Sequence, residues 1–145
     1  MYAFLLANVA LGFYNMGTIW AHEVDIFPSW LLVGDHVHAV QLAHWRKLAY
    51  WIFAPFGAAF AGSVALFRYH PAGSPPWAIA GVFGCQFAAI GLTAILWARW
   101  QALLSRDPRG AGSPYLLSLV RTHWIRTGLV SASGLMLLAW AIIVR

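Results

Sequence analysis

Five of the six histidines lie in short stretches that also carry acids or an arginine: His22-Glu23-Val24-Asp25, Asp35-His36-Val37-His38, His44 near Arg46 and Lys47, and His123-Trp124-Ile125-Arg126. Imidazole exchanges protons near neutral pH. Histidine with carboxylates also supplies the nitrogen and oxygen ligands suited to iron, copper, zinc or manganese. Arginine offers a permanent charge and a planar set of donors for an anionic oxygen. These chemistries make His22, Glu23 and His123 candidate proton-transfer groups and Arg126 a candidate oxyanion partner. His22, His38 and His44 are candidate ligands for a transition metal, with iron or copper expected.

Spacing adds little to that set. The segment Ala21-His22-Glu23-Val24-Asp25 lacks the second histidine of H-E-x-x-H, and His36-x-His38 alone is a weak metal signature. Haem held between His123 and either His22 or His44 is a lesser expectation, because it needs matching depth in a helix bundle as well as matching faces. Ser131, Ser133 and the single Cys85 have no histidine partner in view, which disfavours a serine or cysteine hydrolase. Glycine-rich phosphate loops are absent.

The elements that must position these residues follow from hydropathy. The chain has 145 residues, 61% of them hydrophobic and 9% charged, against roughly 45–50% and 25% in soluble domains. Residues 1–22, 48–67, 69–98 and 127–144 contain no Asp, Glu, Lys or Arg, and about 20 apolar residues cross the hydrocarbon core as a helix. Their runs are continuous rather than alternating, so helices are expected and a β-barrel is not. The first segment lacks the basic start of a signal peptide and is expected to be retained as a span. The predicted fold is all-α, one four-helix transmembrane bundle with spans at about 2–24, 45–68, 76–99 and 115–144.

Four spans place residues 23–47 and 99–126 on one face and the termini with residues 68–76 on the other. Arg46, Lys47, Arg99, Arg106, Arg109, Arg121 and Arg126 belong to the first face, and only Arg68 and Arg145 to the second. The positive-inside bias makes the histidine-rich face cytoplasmic and puts both termini outside. A sequence pI near 10 then reflects topology rather than nucleic-acid binding, since the basic residues flank apolar segments.

Local signals set the boundaries. Helix one is expected to stop before Pro28, and the proline-rich Tyr69–Trp77 segment cannot continue a helix. Ser113 before Pro114 reads as an N-cap with proline at the first helical position. Pro55 is expected to kink span two, while Ala54, Ala58 and Gly62 form a small-residue ridge for close helix approach. The nine tryptophans read as an interfacial belt. Asn8, Asn15, Thr18 and His22 share a stripe of span one, continued by Asp25, and Gln86 and Thr93 can form its opposite wall. Arg126 either pairs with Glu23, Asp25 or Asp35 or snorkels to the headgroups.

The acidic Glu23-Val-Asp-Ile-Phe-Pro-Ser-Trp30, the His44-Trp-Arg-Lys47 that opens span two, its proline and the final Arg121-Thr-His-Trp-Ile-Arg-Thr127 resemble small four-helix bacterial membrane proteins of the anthrone-oxygenase-like family. Most of these have no assigned function. The resemblance implies oxygenation of a polyphenolic substrate and a bacterial inner membrane as the location. His123 stands where the family pattern has Asn, so the resemblance assigns that position no catalytic role.

Two functions are therefore expected in parallel. One is a redox or oxygenase-like protein acting on an aromatic or quinone-type molecule at the histidine-rich face. The other is a non-catalytic accessory or assembly subunit of a larger membrane complex, or a homo-oligomer, held in the lipid bilayer.

Overall fold

The computed structural model describes residues 1–145, and all of its regular structure is helical. Four helices are long and apolar enough to cross a membrane: α1 (Tyr2–Trp30), α2 (Gly34–Ala65), α3 (Pro76–Leu104) and α4 (Pro114–Ile143). Each exceeds the length needed for the hydrocarbon core. The histidine-rich connections are consequently helical for most of their length, with only residues 31–33 between α1 and α2. The helix that carries the second expected span begins at Gly34, ahead of residue 45, because no breaker lies between Gly34 and Pro55.

Pro28 does not end α1. A π-helical turn over His22–Ile26 precedes it, and that wider turn lets the chain pass a residue that has no N–H to donate. The same device precedes Pro55, as the π-turn Ala49–Phe53. A third, Thr93–Trp97, has no proline, but Thr93 Oγ1 donates to the Ala89 carbonyl at 2.6 Å, a back-bond that bends helices. Helix α4 starts as its sequence predicts, with Ser113 Oγ accepting from the Tyr115 N–H and Pro114 opening the first turn.

The loop before α4 is organised by Asp107. It accepts from Arg109 N, Nε and Nη2 and from Ser113 Oγ at 2.8–3.1 Å. The Arg109 hydrogen bonds, aided by Ser113, hold its carboxyl well below the usual carboxylate range. Gly110 adopts φ 56° with the Gly34 carbonyl 3.0 Å from where a Cβ would stand, so the two loops of this face touch at a point only glycine fits.

Packing runs along the whole bundle. Toward the termini Leu5, Leu66, Ala78, Val82, Leu137, Trp140 and Ala141 form one core cluster. At the other end Phe27, Trp30, Val37, Trp97, Leu104, Leu116 and Leu119 form another. Between them Asn8, Asn15, Gln86 and Ser133 are buried and bonded: Asn15 Nδ2 to the Pro55 carbonyl, and Gln86 Nε2 to Ser133 Oγ. The stripe of α1 thus faces the bundle, except that Asp25 is exposed and leaves it.

The small-residue ridge is out of phase with its expectation. Ala54 and Ala58 face outward, whereas Ala59 and Ser63 are buried. Both phases of α2 consist of small residues, so periodicity alone does not choose between them. Gly62 is the exception: Asn8 of α1 occupies the space a Cβ would need. The tryptophan belt is likewise only partial. Trp20, Trp51, Trp77 and Trp124 are exposed, but Trp30, Trp97 and Trp140 are fully buried.

Gly62→Leu is expected to separate α1 from α2 and cost about 1–3 kcal/mol, as overpacking does. Gly57→Leu, where nothing lies within 4 Å of a Cβ, serves as the control. SDS-driven unfolding of the two variants measures the difference.

Candidate functional site

All three π-turns border one buried polar cluster at the histidine-rich end of the bundle. The turn at His22 brings two adjacent residues inward, so both His22 and Glu23 are buried. His123, Arg126 and Thr127 approach from α4 as neighbours on one face, three and four residues apart, and all three are buried. His44 comes from α2, and Trp97 and Thr93 from the turn in α3. Phe27, Trp30 and Trp97 wall the cluster, with ring centroids 4.6 Å from His123, 5.4 Å from His44 and 5.9 Å from His123 respectively.

Two hydrogen-bonded pairs lie inside this wall. His123 Nδ1 is 2.6 Å from Glu23 Oε2, and Thr127 Oγ1 donates to the same oxygen at 2.9 Å. A carboxylate oxygen has lone pairs for both. Nδ1 is thereby the protonated nitrogen of His123, and its Nε2 is buried with no partner. In the second pair His22 Nε2 and His44 Nε2 are 3.0 Å apart. His22 Nδ1 lies 2.7 Å from the Thr18 carbonyl, which only accepts, so His22 carries its proton on Nδ1 and His44 donates through Nε2.

Arg126 is the exception to this pairing. It is 7% exposed yet belongs to neither ion pair of the chain, and its Nε has no hydrogen-bond partner. The guanidinium lies 5.5 Å from the Phe56 ring and 6.0 Å from that of Trp97. It neither snorkels nor pairs with Glu23, Asp25 or Asp35, because His123 and Thr127 take Glu23 and the two aspartates are exposed.

Arg126, His22, His44 and Thr93 share the wall of an internal cavity of about 40 Å³. That is room for a few water-sized groups. His22 and His44 also floor a lateral groove of about 270 Å³ between α1 and α2, with Lys47 and Trp51 on its rim.

The structure therefore brings together His22, Glu23, His44, His123 and Arg126. His38 is not among them. It lies six residues from His44 on the same helix, about 120° around the axis, and lines a separate cavity with Gln41 and Gln101. No group of three or more His, Cys, Asp or Glu has metal-holding geometry. His22 and His44 bond to each other while Arg126 sets a positive charge on the same cavity, so the proposed set His22, His38 and His44 does not fit an iron or copper ion. A cavity of about 40 Å³ also has no room for a porphyrin between His22 or His44 and His123. Phe27, Trp30, Trp97 and Thr127 belong to the site without being singled out for it by the sequence. The spacing of Thr127 four residues after His123 is a signal for the last of them.

The hydrogen-bond network predicts the tautomers. Nitrogen-15 NMR of imidazole-labelled protein at neutral pH is expected to show His22 and His123 protonated on Nδ1 and His44 on Nε2. Glu23→Leu should release only the His123 signal toward the mixture seen in free histidine.

Comparisons of the chain with family models, curated proteins and solved structures find no match.

Proposed function

We propose that this integral membrane protein binds a weakly acidic aromatic molecule as its anion, the anionic oxygen entering the small cavity beside Arg126, with His44 as proton acceptor. Further supported by the resemblance to anthrone-oxygenase-like proteins, the reading takes the reaction to be oxygenation of that anion. The observation that carries it is the buried Arg126 guanidinium, without a carboxylate, on the wall of a cavity. An unpaired buried charge is costly, and ionisable groups inside membrane bundles mark ligand or ion sites.

Each residue has a distinct part. Arg126 stabilises the phenolate or enolate oxygen through charge-assisted hydrogen bonds. His44 receives the proton on Nδ1 while its Nε2–H remains bonded to His22, and the Thr18 carbonyl anchors His22 in turn. Glu23 and Thr127 orient His123, which packs against Phe27 on the cavity wall. Glu23, Thr127, Thr18 and His22 are positioning residues in this scheme. For an anthrone the overall change is one CH₂ group and one dioxygen giving a ketone and water, so dioxygen is the only oxidant required.

Protein in lipid nanodiscs, given a dihydroxyanthrone, is expected to produce the absorbance of the bound anion without oxygen and to consume oxygen in air. Arg126→Leu should lower turnover by about a hundredfold or more, the scale of a lost oxyanion donor, and Arg126→Lys should recover part of it. Undiminished turnover in Arg126→Leu refutes the reading.

A second reading, as a subunit of a helical assembly or homo-oligomer, draws on the outward strip Ala54, Gly57, Ala58 and Ala61 of α2, all exposed. Small residues let a neighbouring helix approach closely in lipid. On that reading Ala58→Cys forms an intermolecular disulfide under mild oxidation, and Phe87→Cys, exposed on α3 away from the strip, does not.

A further inference from the structure

The internal cavity beside Arg126, at about 40 Å³, holds a few water-sized groups and not an aromatic ring system. The body of a ligand whose oxygen enters it must therefore lie in an adjoining space. Two spaces share side chains with it. The cavity of about 440 Å³ between α2 and α3 shares Trp45, Ala98 and Gln101, none of which accepts a proton. The groove of about 270 Å³ between α1 and α2 shares Thr18, His22, His44, Leu48 and Ile52. Both histidines of the bonded pair thus belong to the partition between groove and cavity.

The groove has the form of a site for an apolar body. It follows α1 from Thr18 to Ile26, roughly 12 Å at the helical rise per residue. Its volume is close to the roughly 300 Å³ at which small-molecule sites begin. Ala21, Ile26, Trp51 and Lys47 complete its lining. At the end nearer the termini Tyr14 Oη donates to the Trp51 carbonyl at 3.0 Å and Asn15 Nδ2 to the Pro55 carbonyl at 3.3 Å. These bonds tie α1 to α2 there and close the groove at its foot.

Its mouth opens on the bilayer. Ala21, Lys47 and Trp51 are exposed, and lysine and tryptophan settle where headgroups meet hydrocarbon. Residues 1–22 and 48–67 contain no Asp, Glu, Lys or Arg, so the deeper half of the groove borders acyl chains. A molecule that arrives by this route is dissolved in lipid first. Its hydroxyl meets the partition at His44, and His44 is the member that yields: it has one hydrogen bond, to His22, whereas His22 has two.

We infer that the α1–α2 groove binds the apolar body of the ligand, and that the substrate class is a lipid-dissolved phenol that reaches Arg126 from the bilayer. The inference rests on the Arg126 reading for the place of the anionic oxygen. A bilayer lipid suits the groove less well, because the floor that it would cover is a pair of histidines shared with a charged cavity and not an unbroken apolar face. Ala21, Ile26 and Trp51 set the specificity for the ligand's body, and none of them borders the inner cavity.

The experiment maps, by peptide mass spectrometry, where a 4-alkylphenol with a diazirine on its chain labels the protein in illuminated lipid nanodiscs. A phosphatidylcholine bearing the same diazirine chain reports bilayer lipid. The phenol is expected to label the peptides that carry Ala21, Ile26 and Trp51 severalfold more than the lipid does at equal membrane concentration. Ala21→Trp, which fills the groove, should weaken that labelling about tenfold, the scale of one overpacked side chain. Ala102→Trp, which fills the α2–α3 cavity instead, should leave it unchanged. Equal labelling of the groove by the two probes assigns it to bilayer lipid, and phenol labelling concentrated at Ala102 and Ser105 assigns the body to the α2–α3 cavity. Either result overturns the proposal, as does undiminished labelling in Ala21→Trp. Turnover of the dihydroxyanthrone by Arg126→Leu separates the two claims. If it is lost while the wild type shows no preference for the phenol in the groove, the groove alone fails. If it is kept while that preference stands, only the Arg126 reading fails.

Discussion

Holding a guanidinium inside a helical bundle with no carboxylate against it is the constraint around which this end of the molecule is built. Arg126 is buried on α4, and the acid nearest in kind to a partner for it, Glu23, bonds instead to His123 and Thr127. The charge is left to the faces of Phe56 and Trp97, which offer weaker compensation than an ion pair. Such an arrangement lowers stability. It persists where the unpaired group has a task, and here it lies on a cavity wall with two histidines.

The backbone is adapted to the same place. Each of the first three helices carries a π-helical turn beside the cluster, and only α4, which supplies Arg126, runs without one. A π-turn adds a residue to the helical circuit and re-aims the side chains beyond it. It lets His22 and Glu23 face inward together, carries the chain past Pro28, and turns Trp97 onto His123. The aromatic wall keeps lipid out, and the Asp107 loop with its tight Gly110–Gly34 contact fixes how α4 enters. Toward the termini the bundle is ordinary packing, with the Asn8–Gly62 approach and the buried Trp140 holding the helices together.

Much of this is legible in the chain. Charge-free stretches mark four helices, Ser113-Pro114 marks the start of α4, and the pairing of histidines with Glu23 and Arg126 marks the members of the cluster. The rest is not, for physical reasons. Hydropathy cannot distinguish a tryptophan at the headgroups from one in the core, so Trp30 and Trp97 read as membrane anchors. Proline reads as a stop unless the wider turn before it is known, which sets the expected end of α1 too early. The phase of α2 is hidden where Ala54, Ala58, Ala59 and Ser63 are all small. His38 groups with His44 only while their segment reads as a connection; as one helix, six residues place them on different sides.

The central claim is that Arg126 is kept for a ligand rather than for the fold, and the most direct test is the stability of Arg126→Met, measured as the free energy of SDS-driven unfolding in lipid-containing micelles without added ligand. Methionine fills a similar space and removes the unpaired charge. The account predicts a variant at least as stable as the wild type, with a gain of up to about 1–4 kcal/mol, as when buried charges give way to apolar side chains. A loss of about 3–5 kcal/mol, the cost of breaking a buried ion pair, would contradict it and make Arg126 a structural clasp.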